Sequence, residues 1–236
     1  MNVSVKRIQA IFLKDYKEFI RNYAISVMVL FPIIFAYFYR SDSEYATFFY
    51  GFTMNMSLGL VTSFVQACLI AEEKERNTLR TLMMTPASMF DILIGKSVLV
   101  FLISAVTFAV ATFIFGFAPA NMLVLVVALA LSIILYIALG TICGLFSKSV
   151  LESTLAVMPV MLIFTGGPFL LNIDSDFFLL KAATYLPSTQ FLELIDLLQA
   201  NAAINDMWQA VIIIFIWAVA MTILSFILYK KRLVDE

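Results

Sequence analysis

Apolar positions along this chain gather into six continuous runs, at residues 23–39, 47–71, 93–117, 122–146, 155–171 and 208–229. A helix needs roughly 20 such residues to cross a bilayer, so the pattern predicts six membrane-spanning helices. Ahead of the first run the period changes. At 100° per residue, Val5, Ile8, Phe12, Tyr16, Phe19 and Ile20 fall within an arc of about 120°, with Lys6, Arg7, Lys14, Lys17 and Arg21 on the other side. That pattern predicts a helix over 1–22 lying along the membrane surface. Between the fifth and sixth runs, residues 172–207 form a long segment that is not polar throughout: 176–186 is largely apolar, and 190–200 is amphipathic but too short to span. Phe191, Leu194, Ile195 and Leu198 share one helical face, which predicts short helices dipping into the outer leaflet, with that face in lipid and Glu193 and Asp196 in water. The expected fold is an all-α integral membrane protein: six spans, an N-terminal interfacial helix, and short re-entrant or interfacial helices before the last span, in a single domain over 1–236.

Polar and helix-breaking residues inside the runs refine this picture. The second run carries Asn55, Ser57, Thr62, Ser63 and Gln66. Such groups require partners in hydrocarbon, so this side should face other spans or a water-filled path. Gly140, Gly144 and Ser147 in the fourth run are spaced for close helix packing. Pro32 sits in the short first run. Pro159 and Gly166-Gly167-Pro168 are expected to break the fifth, and a break at membrane depth survives only where protein or a cavity covers it.

Charge orients the ladder. Of the 15 Lys and Arg residues, 13 fall in the N-terminal tail, the even-numbered loops and the C-terminal tail. They are Lys6, Arg7, Lys14, Lys17, Arg21, Lys74, Arg76, Arg80, Lys96, Lys148, Lys230, Lys231 and Arg232. Only Arg40 and Lys181 lie on the other side. Basic residues near spans remain cytoplasmic, so both termini are expected inside a plasma membrane. The chain is 63% hydrophobic and 13% charged, with a net charge of −1, which gives no case for nucleic-acid binding. The first apolar run has no cleavage site after it. Cys68 and Cys143 lie within spans and are expected to pack rather than pair.

Several chemistries are excluded. The histidine count is zero, which rules out Ser-His-Asp and Cys-His arrangements and leaves no imidazole for a metal. Glu72-Glu73-Lys74-Glu75-Arg76 fits a Glu-Glu-x-x-Arg protease pattern, but that chemistry also needs histidines. Gly95-Lys96-Ser97 lacks the earlier glycine and strand of a phosphate-binding loop. Charged residues are absent well inside the runs, which argues against an ion-coupled carrier and puts any energy source on another chain.

The loop after the second run then reads Glu73-Lys74-Glu75-Arg76, Thr78-Leu79, Leu82, Thr85-Pro86-Ala87-Ser88 and Gly95-Lys96. This resembles the signature of the type-2 ABC exporter permeases, with Asn77 where that family usually has glycine. Tyr185-Leu186-Pro187-Ser188-Thr189 is similar to the proline motif before the family's outer amphipathic helix. The resemblance implies a permease without its own nucleotide-binding domain. It would pair with a second permease subunit, identical or related, over a dimer of cytoplasmic ABC ATPases that hold ATP and Mg. It also implies that loop 72–92 seats on the ATPase, with Glu73, Glu75, Arg76, Thr78, Leu79 and Leu82 as coupling residues and Lys14, Lys17 and Arg21 nearby. Asn55, Thr62, Gln66, Gly166 and Gly167 would line a substrate path between the subunits. An apolar path rich in Phe and Met suits a drug-like or peptide-like hydrophobic substrate. A permease for lipid-linked glycans and a non-transporting sensor or immunity protein are the alternatives.

Overall fold

The computed structural model of the chain describes residues 5–40, 45–76, 89–170 and 182–235. Within these, α1 (Val5–Arg21) leads through Asn22 into α2 (Tyr23–Met28) and α3 (Leu30–Tyr39), and α1 lies at 84° to the pair that follows. Ser26 stabilises the corner. Its Oγ donates to the Phe19 carbonyl at 2.5 Å and to the Asn22 carbonyl at 3.1 Å, tying α2 back to the end of α1. The break between α2 and α3 follows from Pro32. A proline clashes with the carbonyl four residues earlier; that residue is Met28, where α2 ends.

The second span is one helix of 30 residues, Ala46–Glu75, made of α4 (Ala46–Ser57), a π-helical turn (Leu58–Ser63) and α5 (Phe64–Glu75). It is the central element, with nine-tenths of its most apolar window enclosed by the rest of the chain. Around it stand α6 (Met89–Phe115), α7 (Met122–Phe146), α8 (Val150–Leu170) and α10 (Ile204–Asp235), with α9 (Pro187–Gln199) between α8 and α10. Among the described residues, four helices besides the second span are long and apolar enough to cross a membrane, and α1 with α2–α3 supplies a sixth candidate if that bent pair is one span. The protein is an all-α, multi-pass membrane protein.

Without a hydrophobic driving force between helices in lipid, close approach and interhelical hydrogen bonds hold the bundle. Gly140 and Gly144 of α7 carry this out. A Cβ at 140 would overlap the Ser63 carbonyl oxygen, and one at 144 would stand 2.7 Å from the Ala67 carbonyl oxygen. The second span is therefore the partner that the small-residue spacing required. Ser63 Oγ donates to the Tyr136 carbonyl at 2.8 Å across the same seam.

Two expectations are corrected. α8 runs without interruption through Pro159 and Gly166-Gly167-Pro168. A helix keeps nearly all backbone groups paired within itself, and in hydrocarbon that outweighs the bond a proline removes. The apolar face of α9 is also not in lipid. Phe191, Leu194, Ile195 and Leu198 are fully buried in the protein core, and Gly51 of α4 makes room for Leu192. Glu193 and Asp196 are exposed, as expected. The helix is held against protein, and Asn55 Nδ2 of the second span donates to the Ser188 carbonyl at 3.2 Å. Cys68 and Cys143 are free thiols.

Candidate functional site

The basic end of the bundle is where α1, the end of α5, the start of α6 and the ends of α7 and α10 converge. Ile11, Ile70, Ile92, Leu145 and Tyr229, one from each, form a small apolar cluster there. α1 crosses α6 at Gly95, where an added Cβ would meet Ile11 Cβ and Cγ2 at 2.9 Å. Only a glycine admits that approach without displacement, and it brings the next residue, Lys96, under α1.

Lys96 is completely buried. Its Nζ lies 2.9 Å from Glu73 Oε1 and 3.2 Å from Asp15 Oδ2, and both carboxylates are almost wholly buried themselves. Lys14 Nζ stands 2.5 Å from the same Glu73 oxygen, 3.8 Å from Asp15 Oδ1 and 3.6 Å from Glu18 Oε2. Lys14, Asp15, Glu73 and Lys96 thus form an electrically neutral cluster joining three elements. Burial pushes the Asp15 carboxyl above its ordinary range, and the nearby lysines offset this only in part. Burial lowers the affinity of Lys14 for its proton, but Glu73 and the neighbouring carboxylates hold the ammonium above its usual value overall. Breaking a buried pair by removing one partner costs roughly 3–5 kcal/mol, because a charge is left uncompensated. The cluster therefore locks α1 to both spans that flank residues 77–88.

Neighbouring charges extend the lock. Arg7 Nη1 is 3.4 Å from Asp91 Oδ2. Arg76 Nη2 is 2.6 Å from Glu72 Oε1, one turn back on the same helix. Lys74 Nζ donates to the Leu145 carbonyl at 2.8 Å, at the C-terminal end of α7, where a cation suits the helix dipole. Glu75 Oε2 accepts from the Val150 N–H at 2.9 Å, an anion at a helix N-terminus. α8 is further capped by Ser149 and Glu152, the Glu152 N–H donating to Ser149 Oγ and Glu152 Oε2 accepting from the Lys148 N–H. The run Glu72–Arg76 therefore grips α1, α6, α7 and α8 together.

Of the expected coupling residues, Lys14 and Glu73 meet in this cluster, and Glu73 is enclosed rather than presented outward. Glu75 and Arg76 lie at its edge, and Lys17 and Arg21 are exposed on α1. Thr78, Leu79 and Leu82 lie outside the described residues. The expected path residues divide. Asn55, Thr62 and Gln66 are fully buried, bonded to the Ser188 carbonyl, to Ser104 Oγ at 2.8 Å and to Thr141 Oγ1 at 3.1 Å. A Cβ at Gly167 would stand 2.6 Å from Leu186 Cδ1, whereas none of the described atoms lies within 4 Å of one at Gly166.

Asp15 and Lys96 were the residues that sequence reasoning did not single out as partners. Lys96 counted as a loop cation although it falls inside an apolar run. Asp15 lies at the edge of the amphipathic arc, on the row Ile8, Ile11, Asp15. That row is turned to protein, as are Phe12 and Phe19 of the predicted arc in part, whereas Val5, Tyr16 and Ile20 of the arc remain exposed. An acid in line with two isoleucines and a lysine behind a glycine within an apolar run were the available signals.

Comparison with curated proteins finds no match. The chain does match the family profile described as ABC-2 family transporter protein over residues 2–227, nearly its whole length. It belongs to the ABC-2 family of transporter proteins.

Proposed function

We propose that this chain is the membrane-spanning subunit of an ATP-driven exporter, paired with a second permease subunit and coupled to two cytoplasmic ABC ATPase subunits that bind ATP and Mg. The basic end of the bundle faces the cytoplasm of a plasma-membrane protein, with both termini inside. The observation that carries this reading is the buried cluster Lys14–Asp15–Glu73–Lys96. It sits between the two helices that lead into and out of residues 77–88, and it fastens the surface helix to both. A force applied to that loop by a closing ATPase pair would move α1, α5 and α6 as one rigid piece, the kind of rigid-body motion by which such switches work.

The path runs between the two permease subunits. Gly166, with open space beside it among the described residues, supports a place there for α8. Asn55, Thr62 and Gln66 support the path by fixing the second span to α9, α6 and α7. The apolar spans favour a drug-like or peptide-like hydrophobic substrate.

The test is reconstitution with the ATPase. Wild-type permease should copurify with it and show substrate-stimulated hydrolysis. Glu73→Gln with Lys14→Met should keep the complex assembled yet lose most of the stimulation. Failure of any ATPase to copurify would favour the sensor reading; full stimulation in the double variant would remove the cluster from coupling.

A further inference from the structure

α6 and α10 both flank α7, and a lateral groove with a volume of about 530 Å³ lies between them with α7 as its floor. Its walls are apolar except for the hydroxyls of Ser97, Thr141, Thr222 and Ser225. Two of these are already used, Thr141 donating to the Ile137 carbonyl and Ser225 to the Thr222 carbonyl.

Its depth is informative. The α6 wall runs from Phe90 to Phe101, the α7 floor from Ile134 to Thr141 and the shorter α10 wall from Thr222 to Phe226; α6 sets the depth. Eleven steps at 1.5 Å each make about 16 Å, one leaflet of a hydrocarbon core of roughly 30 Å. Phe101 then borders a second apolar groove of about 650 Å³ along the α6–α7 hairpin, so the first groove ends near mid-membrane. At the other limit Phe90 and Phe226 stack at 4.9 Å between centroids, at the depth where aromatic rings favour the interface. One helical turn beyond Phe226 come Lys230 and Lys231, both exposed. Asp91, beside Phe90, is held by Arg7, so the mouth is net positive.

We propose that this groove is a binding site for an anionic phospholipid, with one acyl chain lying between α6 and α10 and the headgroup phosphate held by Lys230 and Lys231. A leaflet-deep apolar slot favours an acyl chain over a peptide, which would leave backbone groups unpaired there. Basic residues at the mouth of a groove between spans select an anionic headgroup.

Native mass spectrometry of the purified full chain, delipidated in detergent and titrated with phosphatidylglycerol or phosphatidylcholine of identical acyl chains, tests the site. Wild type should retain one phosphatidylglycerol per chain, at least fivefold more than phosphatidylcholine. Ser97→Trp, which fills the groove, should lower that retention about tenfold. Val106→Trp, the same bulk on an exposed part of α6 outside both grooves, should leave it unchanged. Lys230→Glu with Lys231→Glu, at exposed positions that the fold does not need, should reduce phosphatidylglycerol to the level of phosphatidylcholine. Equal retention of the two lipids by wild type would overturn the proposal, as would undiminished retention by Ser97→Trp. So would a loss of dimer on Ser97→Trp with lipid retention intact, which would assign the groove to a second copy of the chain.

Discussion

Lys96 and Asp15 meet at 3.2 Å with neither side chain exposed, one from the first turns of a membrane span and the other from a helix 84° off the following span. A helix held only by its amphipathic face would slide and roll. This contact, with Glu73 as a shared partner, gives α1 one register against the bundle.

Lys96→Met should lower stability by about 3–5 kcal/mol, because Asp15 and Glu73 stay buried with too little positive charge. Adding Asp15→Asn should recover part of the loss, with a coupling of about 0.5–3 kcal/mol between the two sites. Thermal unfolding of the four members of the cycle in one detergent measures this. Strict additivity would mean that the two residues do not act as a pair.

Gly95 and Gly166 should respond oppositely to the same change. Alanine in a helix interior gains roughly 0.8–1 kcal/mol over glycine from propensity, and Gly166→Ala should show a gain of that order because no other described element crowds it. Gly95→Ala would press a methyl against Ile11 and the Ile8 carbonyl, so it should be destabilising, and Gly95→Leu should detach α1. Limited proteolysis within 5–21 is the readout; an α1 as protected in Gly95→Leu as in wild type would refute the close crossing.

Leu194→Ala should cost about 2–5 kcal/mol, the range for emptying a packed site. Leu194 is enclosed by protein, so added lipid should not rescue the variant. Glu193→Gln, at an exposed position, should be silent. Recovery of Leu194→Ala in thicker or more ordered bilayers would show that the face is lipid-bound after all.

Orientation rests on the 13-to-2 division of basic residues. In a background with Cys68 and Cys143 replaced, cysteine at Ala203 should label with an impermeant thiol reagent in intact cells. Cysteine at the exposed Lys17 or Lys148 should label only after permeabilisation. Labelling of Lys148→Cys without permeabilisation would invert or break the six-span arrangement.

The all-α fold, five of the spans, a helix over 5–21, the seam at Gly140 and Gly144 and the short helix before the last span were all legible in the sequence. Each depends on a local period or on continuous apolar length, and hydrocarbon enforces those by denying the backbone other partners. The family was legible too, because its signature around 73–96 is contiguous. What the tertiary structure decided is which neighbour each face meets. Periodicity shows that Phe191, Leu194, Ile195 and Leu198 form a face, but lipid and a protein core are equally apolar, so only packing could place that face against α4, α8 and α10. Proline marks a cost without saying whether neighbours absorb it, and α8 continues through Pro159. The charge cluster was hidden for a related reason. Asp15 and Lys96 are 81 positions apart, each reads locally as a solvated charge, and their burial becomes tolerable only when Gly95 lets α1 come close enough for opposite charges to meet.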